Sequence, residues 1–172
     1  MHPSVEIQPG TFNVMVSPEE LALRALREAI GPGRFLVLYV CGNYSRLLSR
    51  IGLRTAEFDI RRAFTSSQLL SILDDAHQTF VFLEHDPSLF AESEEMIEYV
   101  SIALRELSRE STVLLYSPAF DATLQAISKK ADRVFYFDRT ADGGSVRGRY
   151  SRRRDIARNA PPTDDQSTLE AF

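Results

Sequence analysis

Short apolar runs alternate with helical-period stripes along this chain. Phe12-Asn13-Val14-Met15-Val16 reads as a strand. After Ser17-Pro18-Glu19-Glu20, the apolar positions Ala22, Ala25, Leu26, Ala29 and Ile30 recur at helical spacing, and Gly31-Pro32-Gly33 ends that helix. Phe35-Leu36-Val37-Leu38-Tyr39-Val40 is an unbroken apolar run, as a strand buried on both faces requires. A helix is predicted over Tyr44 to Ile51, an extended piece near Phe58 to Ile60, and a helix from about Ser66 to Ala76. Phe80-Val81-Phe82-Leu83 is the next buried strand. The clearest helix spans about Glu94 to Arg109, with Met96, Ile97, Val100, Ala103, Leu104 and Leu107 in one stripe. Val113-Leu114-Leu115-Tyr116 is a strand, Ala122 to Ala131 a helix, and Val134-Phe135-Tyr136-Phe137 a further strand.

Strands and helices alternating at this spacing predict βαβ units: a three-layer α/β domain around a mostly parallel sheet of about five strands. Val14, Leu36, Leu38, Val81, Leu83, Leu114, Val134 and Phe135 are expected inside, with Val100, Leu104 and Leu107 packed on the sheet. The pattern divides the chain into an N-terminal arm (1–10), the α/β core (11–140) and a flexible tail (141–172). With 172 residues, 44% of them hydrophobic and 26% charged, the chain has enough apolar surface for one core. The longest apolar run is too short to span a bilayer, and no basic-then-apolar stretch opens the chain, which predicts a cytoplasmic protein without a membrane partner. Cys41, the single cysteine, excludes an internal disulfide and a cysteine-rich metal site. The net charge of −4 argues against binding nucleic acid over the whole surface but leaves room for a local basic patch.

The order of elements resembles a RecA/RadA-family ATPase core, a P-loop NTPase-type fold of the archaeal RadA or circadian-clock kind. Ile60-Arg61-Arg62-Ala63-Phe64-Thr65-Ser66-Ser67-Gln68-Leu69-Leu70 is similar to the segment before the Walker B strand of RadA. Phe80-Val81-Phe82-Leu83-Glu84 sits where that strand would sit, with Glu84 in place of the usual aspartate. Ala131-Asp132-Arg133-Val134-Phe135-Tyr136-Phe137 resembles a late alanine-aspartate-strand element of the same superfamily.

The sequence departs from that family where nucleotide would bind. No G-x-x-x-x-G-K-[ST] follows the first strand, so no glycine-rich backbone, lysine or hydroxyl is provided for phosphate and magnesium. Ser17, Pro18 and Glu20 instead fit a capped helix start, with the Ser17 hydroxyl accepting from the N3 amide and Glu20 reaching back to the Ser17 amide. Two carboxylates there favour the helix dipole and repel an anionic ligand. Ser17, Glu20 and Glu84 are thus read as a degenerate nucleotide site, with no cofactor, metal or catalytic residue expected. Glu84, His85 and Asp86 close a central strand, where open α/β sheets place their sites, but alternation points Glu84 and His85 to opposite faces.

After Asp138 the composition changes. Arg147, Arg149, Arg152, Arg153, Arg154 and Arg158, with Tyr150 among them, face a single acid, Asp155. Arginine pairs with phosphate bidentately and tyrosine stacks on bases, so this stretch is a candidate DNA contact. Ala160-Pro161-Pro162-Thr163-Asp164-Asp165 is linker-like, and Gln166-Ser167-Thr168-Leu169-Glu170-Ala171-Phe172 follows. Leu169 and Phe172 fall on one side of a single helical turn, as anchors for a groove on another protein. Gln166, Leu169 and Phe172 resemble the sliding-clamp (PCNA) interaction motif, though with one aromatic where many such motifs carry two.

The two resemblances together imply a non-catalytic accessory protein of archaeal-type DNA replication, recombination or repair. Its partners would be the sliding clamp, a RadA-type recombinase or a second copy at the core, and DNA at the arginines. The alternatives are an active ATPase or nuclease using Glu84, His85 and Asp86, and a RecA-like signalling or regulatory accessory protein.

Overall fold

The computed structural model describes residues 7–30, 36–51, 58–139 and 146–152. Seven strands form one sheet: β1 (Phe12–Val16), β2 (Val37–Cys41), β3 (Phe58–Arg62), β4 (Phe80–Glu84), β5 (Thr112–Ser117), β6 (Arg133–Arg139) and β7 (Val146–Arg152). Their spatial order is β3-β2-β4-β5-β1-β6-β7. All neighbouring pairs are parallel except β6 and β7, which run antiparallel. The helices are α1 (Glu19–Ile30), α2 (Leu48–Ile51), α3 (Ser66–Asp74), α4 (Met96–Leu107) and α5 (Ala122–Ser128).

Strand alternation builds two cores. Phe12, Val14, Leu38, Val40, Val81, Leu83, Val113, Leu115 and Val134 meet α3, α4 and α5 on one face. Met15, Val37, Tyr39, Phe80, Phe82, Leu114, Tyr116 and Phe135 meet α1 and α2 on the other. The architecture is therefore the expected three-layer α/β domain. Val100 and Leu104 are fully buried in the first core, and Leu107 packs at its margin. Asp132 pins the start of β6: its carboxylate accepts from the Phe12 amide and pairs with Arg105 of α4.

The five apolar strands foreseen lie side by side, and the sheet extends beyond them by one strand at each edge. β3 is polar and half exposed, and β7 is arginine-rich, so neither shows the apolar run of a strand buried on both faces. Three expectations are corrected. The tail expected from residue 141 includes a strand, β7, which carries Arg147, Arg149 and Arg152. Leu36, expected inside, is 43% exposed because the strand starts one residue later, at Val37. The helix foreseen from Tyr44 shrinks to one turn. The Arg46 and Leu47 amides donate to Glu84 instead, and the Ser45 hydroxyl accepts from the Leu48 amide to start the turn.

Candidate functional site

The parallel strands deliver Ser17, Glu84, His85 and Ser117 to one end of the sheet, the end at which open α/β sheets bind ligands. The link from β1 to α1 consists of Ser17 and Pro18 alone. The expected capping box is not what holds it. Ser17 extends the pairing of β1 with β5, so its amide donates to the Ser117 carbonyl, and its hydroxyl donates to the Pro18 carbonyl. Pro18 accepts from the Leu21 and Ala22 amides and thereby starts the helix. A side-chain cap from a Thr-x-x-Gln segment occurs at α3, where Thr65 accepts from the Gln68 amide and the Gln68 side chain accepts from Phe64.

Glu19 and Glu20 occupy the first turn of α1 and draw Arg50 from α2 and Arg46 from the segment leading into it. Arg50 lies 2.8 Å from Glu19 and 3.8 Å from Glu20, and Arg46 lies 3.9 Å from Glu19. Arg46 and Arg50, beside the positive end of α1, are therefore engaged by carboxylates. Glu84, 5% exposed, holds the same segment from beneath: Oε1 accepts from the Arg46 and Leu47 amides at 3.0 and 3.2 Å. Its Oε2 and the Tyr116 hydroxyl are buried without a hydrogen-bond partner. The structure thus brings Ser17, Glu20 and Glu84 to one end of the sheet, with Glu20 and Glu84 joined through Arg46–Arg50.

An aromatic row underlies this end. Tyr39 stacks on Phe82 at 5.3 Å, and Phe82 on Tyr116 at 6.0 Å. Burial, reinforced by the charge of Glu84, pushes the Tyr39 phenol well above its ordinary range although Ser45 hydrogen-bonds to it. Burial and the charges of Glu19 and Glu84 do the same for Tyr116. Burial and Glu84 raise the Cys41 thiol too, which suits an inert buried cysteine and not a thiolate nucleophile.

His85 points to the opposite face, as alternation requires. Its Nε2 lies 2.7 Å from Oδ2 of Asp121, which also caps α5 by accepting from the Leu124 amide. Asp86 caps the 3₁₀ turn Pro87–Phe90 through Ser88. Glu84, His85 and Asp86 therefore serve three separate structures and do not converge as one catalytic set. Among the described residues, no three His, Cys, Asp or Glu side chains group as a metal site. No described helix is long and apolar enough to cross a membrane.

Sequence reasoning missed Asp121, Arg46 and Arg50. The Asp-x-x-Leu pattern at 121–124 is an N-cap signal, whereas the pairing of Asp121 with His85 spans 36 residues and leaves no local trace. A groove between α3 and α4, lined by Leu70, Leu73, Tyr99, Ile102 and Leu107, was also not foreseen. Arg153, Arg154, Arg158, Gln166, Leu169 and Phe172 lie outside the described residues.

This three-layer arrangement is a RecA-like core. The crystal structure of the flagellar accessory protein FlaH from Methanocaldococcus jannaschii superposes with a TM-score of 0.55 over 85% of this chain and 79% of that chain, at 11% sequence identity. No family model matches the sequence. An uncharacterized protein of Archaeoglobus fulgidus is 34% identical over 170 residues, spanning 98% of this chain and 86% of its own length, and this chain belongs to the same family.

Proposed function

We propose that this protein is a RecA-like accessory protein of DNA replication, recombination or repair that acts by binding partners and not by nucleotide hydrolysis. The observation that carries this reading is the β1–α1 junction. Two residues replace a phosphate loop, the helix start presents Glu19 and Glu20, and the nearby Arg46 and Arg50 are paired with them. An incoming polyphosphate would have to displace those pairs and face two carboxylates at the end of the helix where phosphate normally binds. Glu84 follows the same logic: it holds backbone amides of the α2 segment and acts as a structural acid.

In this proposal the sliding clamp is the partner, bound through Gln166, Leu169 and Phe172, and the arginine stretch supplies DNA contact. Two titrations test it. The full chain is titrated with ATP in the presence and absence of magnesium, and separately with the clamp of the same organism by calorimetry. The expected results are no magnesium-dependent nucleotide binding and micromolar clamp binding, roughly −7 to −8 kcal/mol for a short single-aromatic motif. Phe172→Ala is expected to weaken clamp binding about thirtyfold, since truncating a hot-spot aromatic costs about 2 kcal/mol or more. Micromolar, magnesium-dependent ATP binding would return the protein to the ATPases. Absence of clamp binding in wild type would favour a RecA-like regulatory accessory with another partner.

A further inference from the structure

β3 ends the sheet, with β2 on one side and no strand on the other among the described residues. The Ala63 amide donates to the Cys41 carbonyl, and Cys41 is in register with Arg62. In a parallel ladder this places the backbone groups of Asp59, Arg61 and Ala63 toward β2. The backbone donors and acceptors of Phe58, Ile60 and Arg62 therefore face outward, ready to pair. Ile60 itself is 44% exposed, and Phe64 just beyond the strand is 58% exposed.

The strand reads Phe58-Asp59-Ile60-Arg61-Arg62, and this order is complementary to its own reverse. A two-fold axis through Ile60 sets Ile60 opposite its copy, Phe58 opposite Arg62, and Asp59 opposite Arg61. The outward-facing residues Phe58, Ile60 and Arg62 then form the hydrogen-bonded pairs. Asp59 and Arg61 form the non-hydrogen-bonded pairs, where facing side chains come closest, with Cα atoms about 4.5 Å apart. The two Asp59 and two Arg61 side chains make an alternating quartet on one face. Within one chain, Arg61 already folds back onto Asp59, with Nε at 3.1 Å from Oδ2, along a strand repeat of about 6.7 Å. A partner directly opposite is nearer than that repeat. The Gln78 amide, 3.5 Å from Asp59, helps fix the carboxylate at this edge.

We propose that two copies of this chain pair antiparallel along β3, centred on Ile60, to form a symmetric dimer with one continuous sheet. The interface is isologous, so each Asp59–Arg61 contact occurs twice, and any other register loses both. Charged side chains commonly guard an edge strand against pairing; here their order is matched to a second copy and not to an arbitrary strand.

Sedimentation equilibrium tests the proposal, since it reads mass directly. Wild type at about 100 µM and low salt is expected to be a dimer that weakens as salt rises, because exposed ion pairs are screened. Asp59→Arg sets cation against cation at both facing pairs, and Arg61→Asp sets anion against anion. Each single variant is expected to be monomeric while its circular dichroism spectrum stays native. Mixing the two variants places the all-cationic edge of one chain against the all-anionic edge of the other, so the mixture is expected to dimerise. The double variant Asp59→Arg/Arg61→Asp restores opposite charges at both pairs and is expected to dimerise alone. Ile60→Cys is expected to form an intermolecular disulfide on oxidation, since opposite Cα atoms about 5.5 Å apart fit disulfide geometry. A monomeric wild type, a mixture that stays monomeric, or dimers indifferent to these charges would overturn the proposal.

Discussion

His85 and Asp121 meet at 2.7 Å between the end of β4 and the start of α5, the imidazole 2% exposed and the carboxylate 38% exposed. A carboxylate only accepts, so the histidine Nε2 carries the proton of this bond. The contact ties the central strand to the helix that leads into β6.

Asp121→Ala is expected to destabilise the fold by about 2–4 kcal/mol. The loss of an N-cap costs about 1 kcal/mol, and a buried donor left without its acceptor costs about 1–3 kcal/mol. Asp121→Asn keeps an oxygen for one of the two roles and should cost less. Urea denaturation of the three proteins measures both.

The same pair gives stability a pH dependence. Burial by itself would raise the Asp121 carboxyl. The hydrogen bond from His85, with the Leu124 and Thr123 amides, outweighs burial and holds it below its ordinary 3.8. A group depressed in the folded state stabilises above its unfolded value, and that stabilisation is lost as pH falls through the folded value. The stability gap between wild type and Asp121→Asn should therefore shrink as pH falls below about 3.8.

Gly42 has no room for a side chain. A Cβ there would lie 2.1 Å from Asp86 Oδ2 and 2.8 Å from its Cβ and Cγ. Gly42→Ala must displace Asp86 from its cap on Ser88, at an expected cost of about 1–3 kcal/mol. In the background of Asp86→Ala the same change should cost less, because the carboxylate is gone. Additive costs in this double-mutant cycle would show that the two residues do not compete for space.

Glu84→Ala should cost about 2–4 kcal/mol, since the Arg46 and Leu47 amides lose their buried acceptor. Glu84→Gln keeps an acceptor and removes the charge, so it should be nearly neutral. Thermal melts compare the two. A large cost for glutamine alone would mean that the charge itself holds the segment.

If the arginine stretch contacts DNA, affinity falls steeply with salt because each neutralised phosphate releases counterions. Replacing Arg152, Arg153 and Arg154 with alanine should lower the logarithmic salt slope by about 2–3. Fluorescence anisotropy with a labelled duplex measures it, and no binding at about 50 mM salt would remove DNA from the partners.

The buried strands were legible because they are apolar on both faces. Val81, Leu83, Leu114 and Val134 show in the sequence as unbroken runs and end in the core. β3 was legible only as a short extended piece, because an edge strand keeps its polar residues in water. Ser17 was misread because its amide is claimed by Ser117, far along the chain, and no local pattern encodes that. Glu84 could be placed at a strand end from its position in a run. Its bonds to Arg46 and Leu47 depend on how the β2–α2 segment folds over it. For the same reason His85 gave no hint of Asp121.

Because β7 runs against β6, it carries the chain back to the base of the sheet: Arg152 lies opposite Arg133, the first residue of β6. Ser17, Glu84 and His85 sit at the crown, where the parallel strands finish. His77 and Ser111 of the α3–α4 groove lie just ahead of β4 and β5, on the base side, and the chain leaves β7 on that side too. Whatever the proposed function binds through residues beyond Arg152 would therefore attach at the end of the sheet opposite Ser17, Glu84 and His85.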